Sequence, residues 1–191
     1  MSSQSQTEQH NIAGHPEVAG IILAAGGATR YQQPKILLPW IENQSIIRHI
    51  GARAVASRLS NVIVVLGANI EPVVEQLSDL PIKFIINHNW SSGQSSSIRV
   101  GLQAINQTVS ACIFLLADQP FISTTLVNGL IDKYMETNNK IIMPMVGTRR
   151  ANPVLFDRSL FEELSSLDGD IGGRSLFAKY PPTLMAWDDP R

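Results

Sequence analysis

The chain has 191 residues, 44% of them hydrophobic and 16% charged, which is typical of a single globular domain with a sizeable core. Its formal net charge of -1 excludes the strongly basic overall charge of many proteins that bind nucleic acid or anionic membranes. A lone cysteine, Cys112, excludes an internal disulfide and a cysteine-based zinc site. Its apolar neighbours, ACIFLLA, predict a buried core residue rather than a reactive thiol.

The first 17 residues are polar and lack the apolar segment of a secretory signal. We therefore expect a flexible tail over 1–17 and a single domain over 18–191. No apolar run is long enough to cross a bilayer. These features predict a cytoplasmic protein with neither a nucleic acid nor a membrane as partner.

Short apolar segments alternate with longer amphipathic ones along the rest of the chain. In chain order, the predicted strands are VAGIILA, NVIVVLG, IKFIIN, ACIFLLAD, KIIMPM, NPVLF and PTLMAW. The predicted helices are SIIRHIGARAVA with Ser45 as N-cap, IEPVVEQLSDL, SSSIRVGLQAIN, STTLVNGLIDKYMETN, SLFEELSSL and GRSLFAKY. This alternation predicts an α/β domain with a mostly parallel sheet and helices on both faces.

The first strand ends in a glycine-bearing turn followed by two cations. Ala24, Ala25, Gly26 and Gly27 allow backbone N–H groups to approach an anion, and Arg30 and Lys35 supply positive charge. Neither a Walker A loop nor a dinucleotide fingerprint is present. The alternative is a glycine-rich connection with surface cations, but the two cations together favour a phosphate-binding turn.

The third strand is followed by NHNWSSGQSSSIRVG, which is rich in polar side chains. Gly93 would allow backbone contact with a flat base or a ribose. Ser95, Ser96 and Ser97 open a helix whose N-terminus could hold an anion. Simple helix capping is an equally good interpretation of these serines. The three tryptophans are more typical of core or rim packing than of ring stacking.

Asp118 follows the fourth strand, in LLADQPF, and would lie at the carboxyl edge of the sheet. Because Mg2+ favours carboxylate and phosphate oxygens, Asp118 is a candidate metal ligand. Ser123 and Thr124 are closer candidates than Asp118 for capping the next helix. In LDGDIGGR, spacing alone favours a glycine-rich turn over a role for Asp170 in the site. The four histidines form no metal-ligand spacing.

Four segments in order resemble the MobA-like nucleotidyltransferases. LAAGGATRYQQPK resembles the family signature LAAGxSxRMGxxK, and three later blocks resemble the family's later ones: NHNWSSGQSSSIRVGL, LLADQPFIS and NPVLFDRSLFEELSSLDGDIGGRSLF. The resemblance extends from about Val18 to Ala186. The NPVLF and GDIGGR blocks are most similar to the branch that contains molybdenum cofactor cytidylyltransferase.

The resemblance implies a Rossmann-like fold of the nucleotide-diphospho-sugar transferase type. It also implies an enzyme that binds a nucleoside triphosphate and Mg2+ and releases pyrophosphate when an acceptor phosphate attacks the α-phosphorus. In the cytidylyltransferase branch the nucleotide is CTP and the acceptor is molybdopterin-type. An apo-molybdoenzyme is a further possible partner.

The resemblance assigns roles to individual residues. Arg30, Lys35, Asp118 and Asp170 would be catalytic, and the last two would bind the metal, although Asp170 could instead lie on the acceptor side. Nucleotide contacts would come from Leu23, Ala24, Ala25, Gly26, Gly27, Arg30, Lys35, Gly93, Ser97 and Asp118.

Three positions depart from the family pattern: Tyr31 stands for Met, Gln32 for Gly and Ala151 for Gly. Ala151 would narrow the approach of the acceptor.

Three alternatives remain beside cytidylyl transfer: guanylyl transfer from GTP, transfer to a sugar or alcohol phosphate, and non-catalytic carriage of the finished cofactor. Arg30, Lys35 and Asp118 argue against a carrier, which needs no metal ligand beside a triphosphate.

Overall fold

The computed structural model describes residues 16–27 and 33–188. Its strands are β1 (Val18–Ala24), β2 (Asn61–Leu66), β3 (Lys83–Ile86), β4 (Ala111–Leu116), β5 (Ile141–Val146), β6 (Arg149–Arg150), β7 (Val154–Asp157) and β8 (Thr183–Ala186). Its α-helices are α1 (Ile46–Val55), α2 (Ile70–Leu77), α3 (Gln94–Gln103), α4 (Thr124–Thr137) and α5 (Phe161–Ser165). Short 3-10 helices span Lys35–Leu37, Trp90–Ser92, Arg158–Leu160 and Gly173–Phe177.

The strands form one sheet in the order β3-β2-β1-β4-β7-β5-β6, and β8 pairs with β5. The pairs β1–β2, β1–β4, β2–β3 and β5–β8 are parallel, whereas β7 runs antiparallel to β4 and β5, and β6 antiparallel to β5. Leu23 near the end of β1 is in register with Val65 of β2 and Leu116 of β4. The turns after these three strands therefore meet at one edge.

The sheet is covered on both faces, which confirms the predicted architecture. Alternate residues of β1 and β4 contribute to two separate apolar cores. Helices α1, α2 and α4 pack in one core, and α3 and α5 pack in the other. Cys112 on β4 is fully buried, as predicted, and burial raises the pKa of its thiol.

Some helix ends match the predictions made from the sequence, and others differ from them. Ser45 and Ser123 accept the backbone N–H of Arg48 and Leu126, so both serines cap helices. The predicted short helix over GRSLFAKY is a 3-10 helix, and it spans Gly173–Phe177, three residues fewer than predicted. None of the helices in the described part of the chain is long and apolar enough to cross a membrane.

A polar contact joins α4 to the end of β7. Tyr134 donates its hydroxyl to Asp157 at 2.6 Å, and the Ser159 N–H donates to the same carboxylate at 2.9 Å. Burial acts to raise the pKa of Asp157. The hydrogen bonds from Ser159 and Tyr134 and the charge of Lys140 outweigh burial and lower that pKa below the usual 3.8.

This lowered pKa predicts a pH-dependent contribution of Asp157 to stability. The contribution is present above the pKa of the unfolded state and is lost as the pH falls through the folded-state pKa. Asp157→Asn should therefore lose stability at about pH 7, and its deficit relative to wild type should shrink near pH 3. Urea unfolding at both pH values measures this difference. A deficit that stays constant with pH would contradict the assignment.

Candidate active site

A cavity of about 420 Å3 opens where the turns after β1 and β4 meet. It is lined by each predicted site residue that the structure describes; Arg30 lies outside the described residues. These lining residues are Leu23, Ala24, Ala25, Gly26, Gly27, Lys35, Gly93, Ser97, Asp118 and Asp170. Four segments separated widely in sequence thus converge on one space, although their contacts with a ligand stay a prediction.

The turn after β1 is packed closely on one side and open on the other. A Cβ on Gly27 would lie 3.1 Å from the Trp90 ring, and one on Gly67 would lie 2.5 Å from the Ala25 carbonyl oxygen. A Cβ on Gly26 would meet nothing within 4 Å. The turn is therefore held in place by Trp90 and the end of β2, while its backbone at Gly26 is accessible. Trp90, which is 37% exposed, lines the cavity beside this turn.

Lys35 and Asp118 face each other in this cavity. Lys35 begins the 3-10 helix Lys35–Leu37, and its Nζ lies 3.5 Å from Oδ2 of Asp118, which follows β4. Both side chains are about half exposed, at 48% and 53%. Because exposed ion pairs are weak, both groups can exchange this contact for a phosphate or a cation at little cost.

Asp170 reaches the same cavity from the segment after α5. Its Oδ1 accepts the backbone N–H of Gln94, the first residue of α3, at 3.3 Å. The Gly169 carbonyl accepts the N–H of Ser95 at 3.1 Å. The interpretation of this segment from spacing alone, an ordinary glycine-rich turn, did not foresee that Asp170 lies against the start of α3.

Gly93 is needed for this approach. Its φ is 109°, a conformation that side chains rarely adopt, and a Cβ there would lie 2.4 Å from the Gly169 carbonyl carbon. Gly93 is also the residue preceding α3. Glycine at position 93 therefore has a structural reason that does not involve a nucleotide: it allows the Asp170 segment to pack closely. The predicted contact between the Gly93 backbone and a base or ribose stays a prediction.

The serines at the start of α3 belong to a buried polar network. Asn87 donates to the hydroxyls of Ser96 and Ser97 at 2.8 and 3.0 Å, and Ser96 donates to the Gly93 carbonyl. All three serines of SSS are buried. The interpretation of these serines as simple helix caps was wrong, because the N-cap is Gly93 and no side chain caps this helix. Anion binding at the start of α3 stays a prediction. Ser97 still lines the cavity.

The carboxylates fit a hard cation bound together with a substrate. Asp118 and Asp170 line the same cavity. Within residues 16–27 and 33–188, no group of three or more His, Cys, Asp or Glu could hold a metal ion. Mg2+ commonly uses one or two carboxylates and completes its coordination with phosphate oxygens and water. The residues present therefore suit a metal that arrives with a triphosphate.

A second cavity of about 570 Å3 shares Lys35 and Asp118 with the first. Its other lining residues include three aromatic residues, two arginines and two amides; they are Trp40, Phe121, Trp187, Arg150, Arg174, Gln119 and Asn152. The rings of Trp40 and Phe121 meet edge to face, with centroids 5.2 Å apart. Ala151, one of the departures from the family pattern, also lines this cavity.

Sequence reasoning missed most of this second cavity. Trp40 and Trp187 were interpreted as core or rim residues, and no role was predicted for Arg150. Two signals in the sequence pointed to it: Ala151, which the family pattern already connected with the acceptor, and Phe121, which lies three residues after Asp118. The remaining residues come from separate segments that only the folded chain brings together.

Comparisons with known proteins assign the chain to a family. The family model described as "MobA-like NTP transferase domain" matches residues 20–184. Nicotine blue oxidoreductase of Paenarthrobacter nicotinovorans is 31% identical over 89% of this chain and 85% of its own length. A probable molybdenum cofactor guanylyltransferase of Bacillus mycoides (strain KBAB4) is 28% identical over 69% of this chain and 64% of its own length.

A solved structure supports the fold. A Mycobacterium tuberculosis H37Rv protein, crystallised as a complex with manganese, superposes with a TM-score of 0.75 at 24% identity, covering 90% of this chain and 89% of that one. The fold is that of the nucleotide-diphospho-sugar transferases, as predicted. Because the family model covers most of the chain, the chain belongs to the MobA-like NTP transferase family.

Proposed function

On the premise that this chain is a MobA-like NTP transferase domain, we propose that it transfers CMP from CTP to the phosphate of a molybdopterin-type acceptor. The observation that carries the proposal is the position of Lys35 and Asp118, which both line the two neighbouring cavities. Two substrates bound in these cavities would meet at that pair, as a transfer between them requires.

The first cavity would hold the nucleoside triphosphate. Its accessible backbone at Gly26 and the Lys35 ammonium are suited to phosphate oxygens. Asp118 and Asp170 would hold Mg2+, which would neutralise charge on the triphosphate. Arg30 is proposed to contribute a further positive charge.

The second cavity would hold the acceptor. Trp40, Phe121 and Trp187 offer ring faces and edges to a planar heterocycle, and Arg150 and Arg174 offer charge to its anionic groups. A molybdopterin-type compound combines such a ring system with a phosphate. The acceptor phosphate would then point toward Lys35 and Asp118.

The chemistry requires positioning and charge neutralisation rather than a protein nucleophile. An oxygen of the acceptor phosphate forms a bond to the α-phosphorus of CTP. The bond from that phosphorus to the oxygen bridging the β-phosphate breaks, and pyrophosphate leaves with the electron pair. Lys35 would stabilise the negative charge that accumulates on pyrophosphate.

The choice of CTP over GTP rests on the NPVLF and GDIGGR blocks. Similarity to the relative named probable molybdenum cofactor guanylyltransferase supports GTP as the nucleotide instead. An oxidoreductase is a second candidate function, because the relative named nicotine blue oxidoreductase is similar over 89% of this chain.

Pyrophosphate release distinguishes these candidates. Purified protein is incubated with Mg2+, a molybdopterin-type acceptor and each nucleoside triphosphate separately. We expect release with CTP, and only when the acceptor is present. Release with GTP alone would replace cytidylyl by guanylyl transfer. Absence of release with every nucleotide, together with a change in nicotine blue absorbance upon addition of a two-electron reductant, would favour the oxidoreductase.

A further inference from the structure

Asp170 lies on the segment between α5 and the 3-10 helix Gly173–Phe177. The segment follows the short helix α5 and reaches α3 through the two backbone contacts at Gln94 and Ser95. The contact at Gln94 positions the Asp170 carboxylate, and the contact at Ser95 positions Gly169. A carboxylate at the edge of an open cavity needs further support if its position is to be fixed before a ligand binds.

Arg99 on α3 supplies such support. Its Nε donates to the Ser165 carbonyl at 2.7 Å, and its Nη2 donates to the Leu167 carbonyl at 2.9 Å. Its Nη2 also lies 3.3 Å from Oδ1 of Asp168. One guanidinium thus holds three positions within the five residues that precede Asp170.

The two carbonyl contacts matter more than the ion pair. Asp168 is 92% exposed, so its attraction to Arg99 is weak. The Ser165 and Leu167 carbonyls lie at and just after the end of α5, where backbone acceptors lack partners within the helix. A planar guanidinium can satisfy both carbonyls with parallel N–H groups, whereas an ammonium cannot reproduce this fork.

We propose that Arg99 is a positioning residue, which fixes Asp170 against the start of α3 so that the carboxylate is in place for metal and nucleotide. Arg99 does not line any of the cavities described above. Its effect therefore passes through the segment 165–170. The metal part of this inference rests on the proposed function, but the placement of the segment does not.

Hydrogen exchange tests the placement without any ligand. In Arg99→Ala, the amides of Gln94 and Ser95 should exchange roughly tenfold faster, because their acceptors are Asp170 and Gly169. Arg158→Ala is the matched control, since Arg158 also donates to two backbone carbonyls, those of Asn106 and Val109. Exchange at Gln94 and Ser95 that is unchanged in Arg99→Ala would overturn the proposal.

The effect of Arg99 on metal binding is tested by measuring Mn2+ affinity in the presence of CTP with electron paramagnetic resonance. Arg99→Ala should weaken Mn2+ binding by roughly tenfold, the usual effect of losing a residue that orients a metal ligand. Arg99→Lys should restore only part of the affinity, and Arg158→Ala should bind as the wild type does.

A double variant separates positioning from general loosening. In an Asp170→Asn background, Arg99→Ala should have little further effect on Mn2+ affinity, because the group that Arg99 positions is already altered. Additive losses would overturn the proposal. If the wild type itself fails to bind Mn2+ with any nucleoside triphosphate, the proposed function fails, and the exchange experiment still decides the role of Arg99.

Discussion

Asp118→Asn should lower nucleotidyl transfer by roughly a hundredfold or more, while the protein remains folded. The substitution keeps the size of the side chain but removes the charge that we propose binds Mg2+ and the triphosphate. Folding should be little affected, because the carboxylate is 53% exposed and its ion pair with Lys35 is weak. Pyrophosphate release and thermal unfolding measure the two effects.

Asp132→Asn is the matched control for Asp118→Asn. Asp132 is also an exposed carboxylate in an ion pair, with Arg58, but it lies on α4 and lines neither of the two cavities. Its variant should retain normal turnover. Full activity in Asp118→Asn would show that the metal and nucleotide do not depend on this carboxylate.

Gly93→Ala should destabilise the protein by about 2 kcal/mol or more and should also reduce transfer. The new Cβ would be added at a φ of 109° and 2.4 Å from the Gly169 backbone, so the segment that carries Asp170 would have to move. The loss of stability can be measured by urea unfolding, and the loss of transfer by pyrophosphate release.

Gly147→Ala is the control that separates the effect of backbone strain from the effect of displacing the Asp170 segment. Gly147 also has a positive φ, 58°, but a Cβ there would meet nothing within 4 Å. That variant should lose some stability and keep its activity. If Gly93→Ala transferred as fast as Gly147→Ala, the close contact between Gly93 and Gly169 would be irrelevant to the site.

The features that local chemistry determines could be predicted from the sequence. The strands of the parallel half are continuous apolar runs because helices cover both faces of the sheet, and this pattern located β1, β2 and β4. Ser45 was recognisable as a helix cap, and Ser123 was one of two candidate caps beside Thr124. Asp118 was a candidate because a lone carboxylate directly follows an apolar strand.

Features that depend on contacts between distant segments could not be predicted. The residues of SSS were ambiguous because their partner, Asn87, lies in the preceding turn. The resemblance assigned Asp170 to the site, but spacing alone did not, because its contact is with Gln94 of α3, 76 residues away in the chain. The aromatic wall of the second cavity combines residues as far apart as Trp40 and Trp187.

The transfer of the α-phosphate tests the central claim most directly. Protein, Mg2+ and a molybdopterin-type acceptor are incubated with CTP labelled at the α-phosphorus, and in parallel with CTP labelled at the γ-phosphorus. The account predicts that the α-label moves into the acceptor product and that the γ-label appears in pyrophosphate. An α-label that stays in CTP, or that appears only as free CMP, would contradict nucleotidyl transfer to this acceptor.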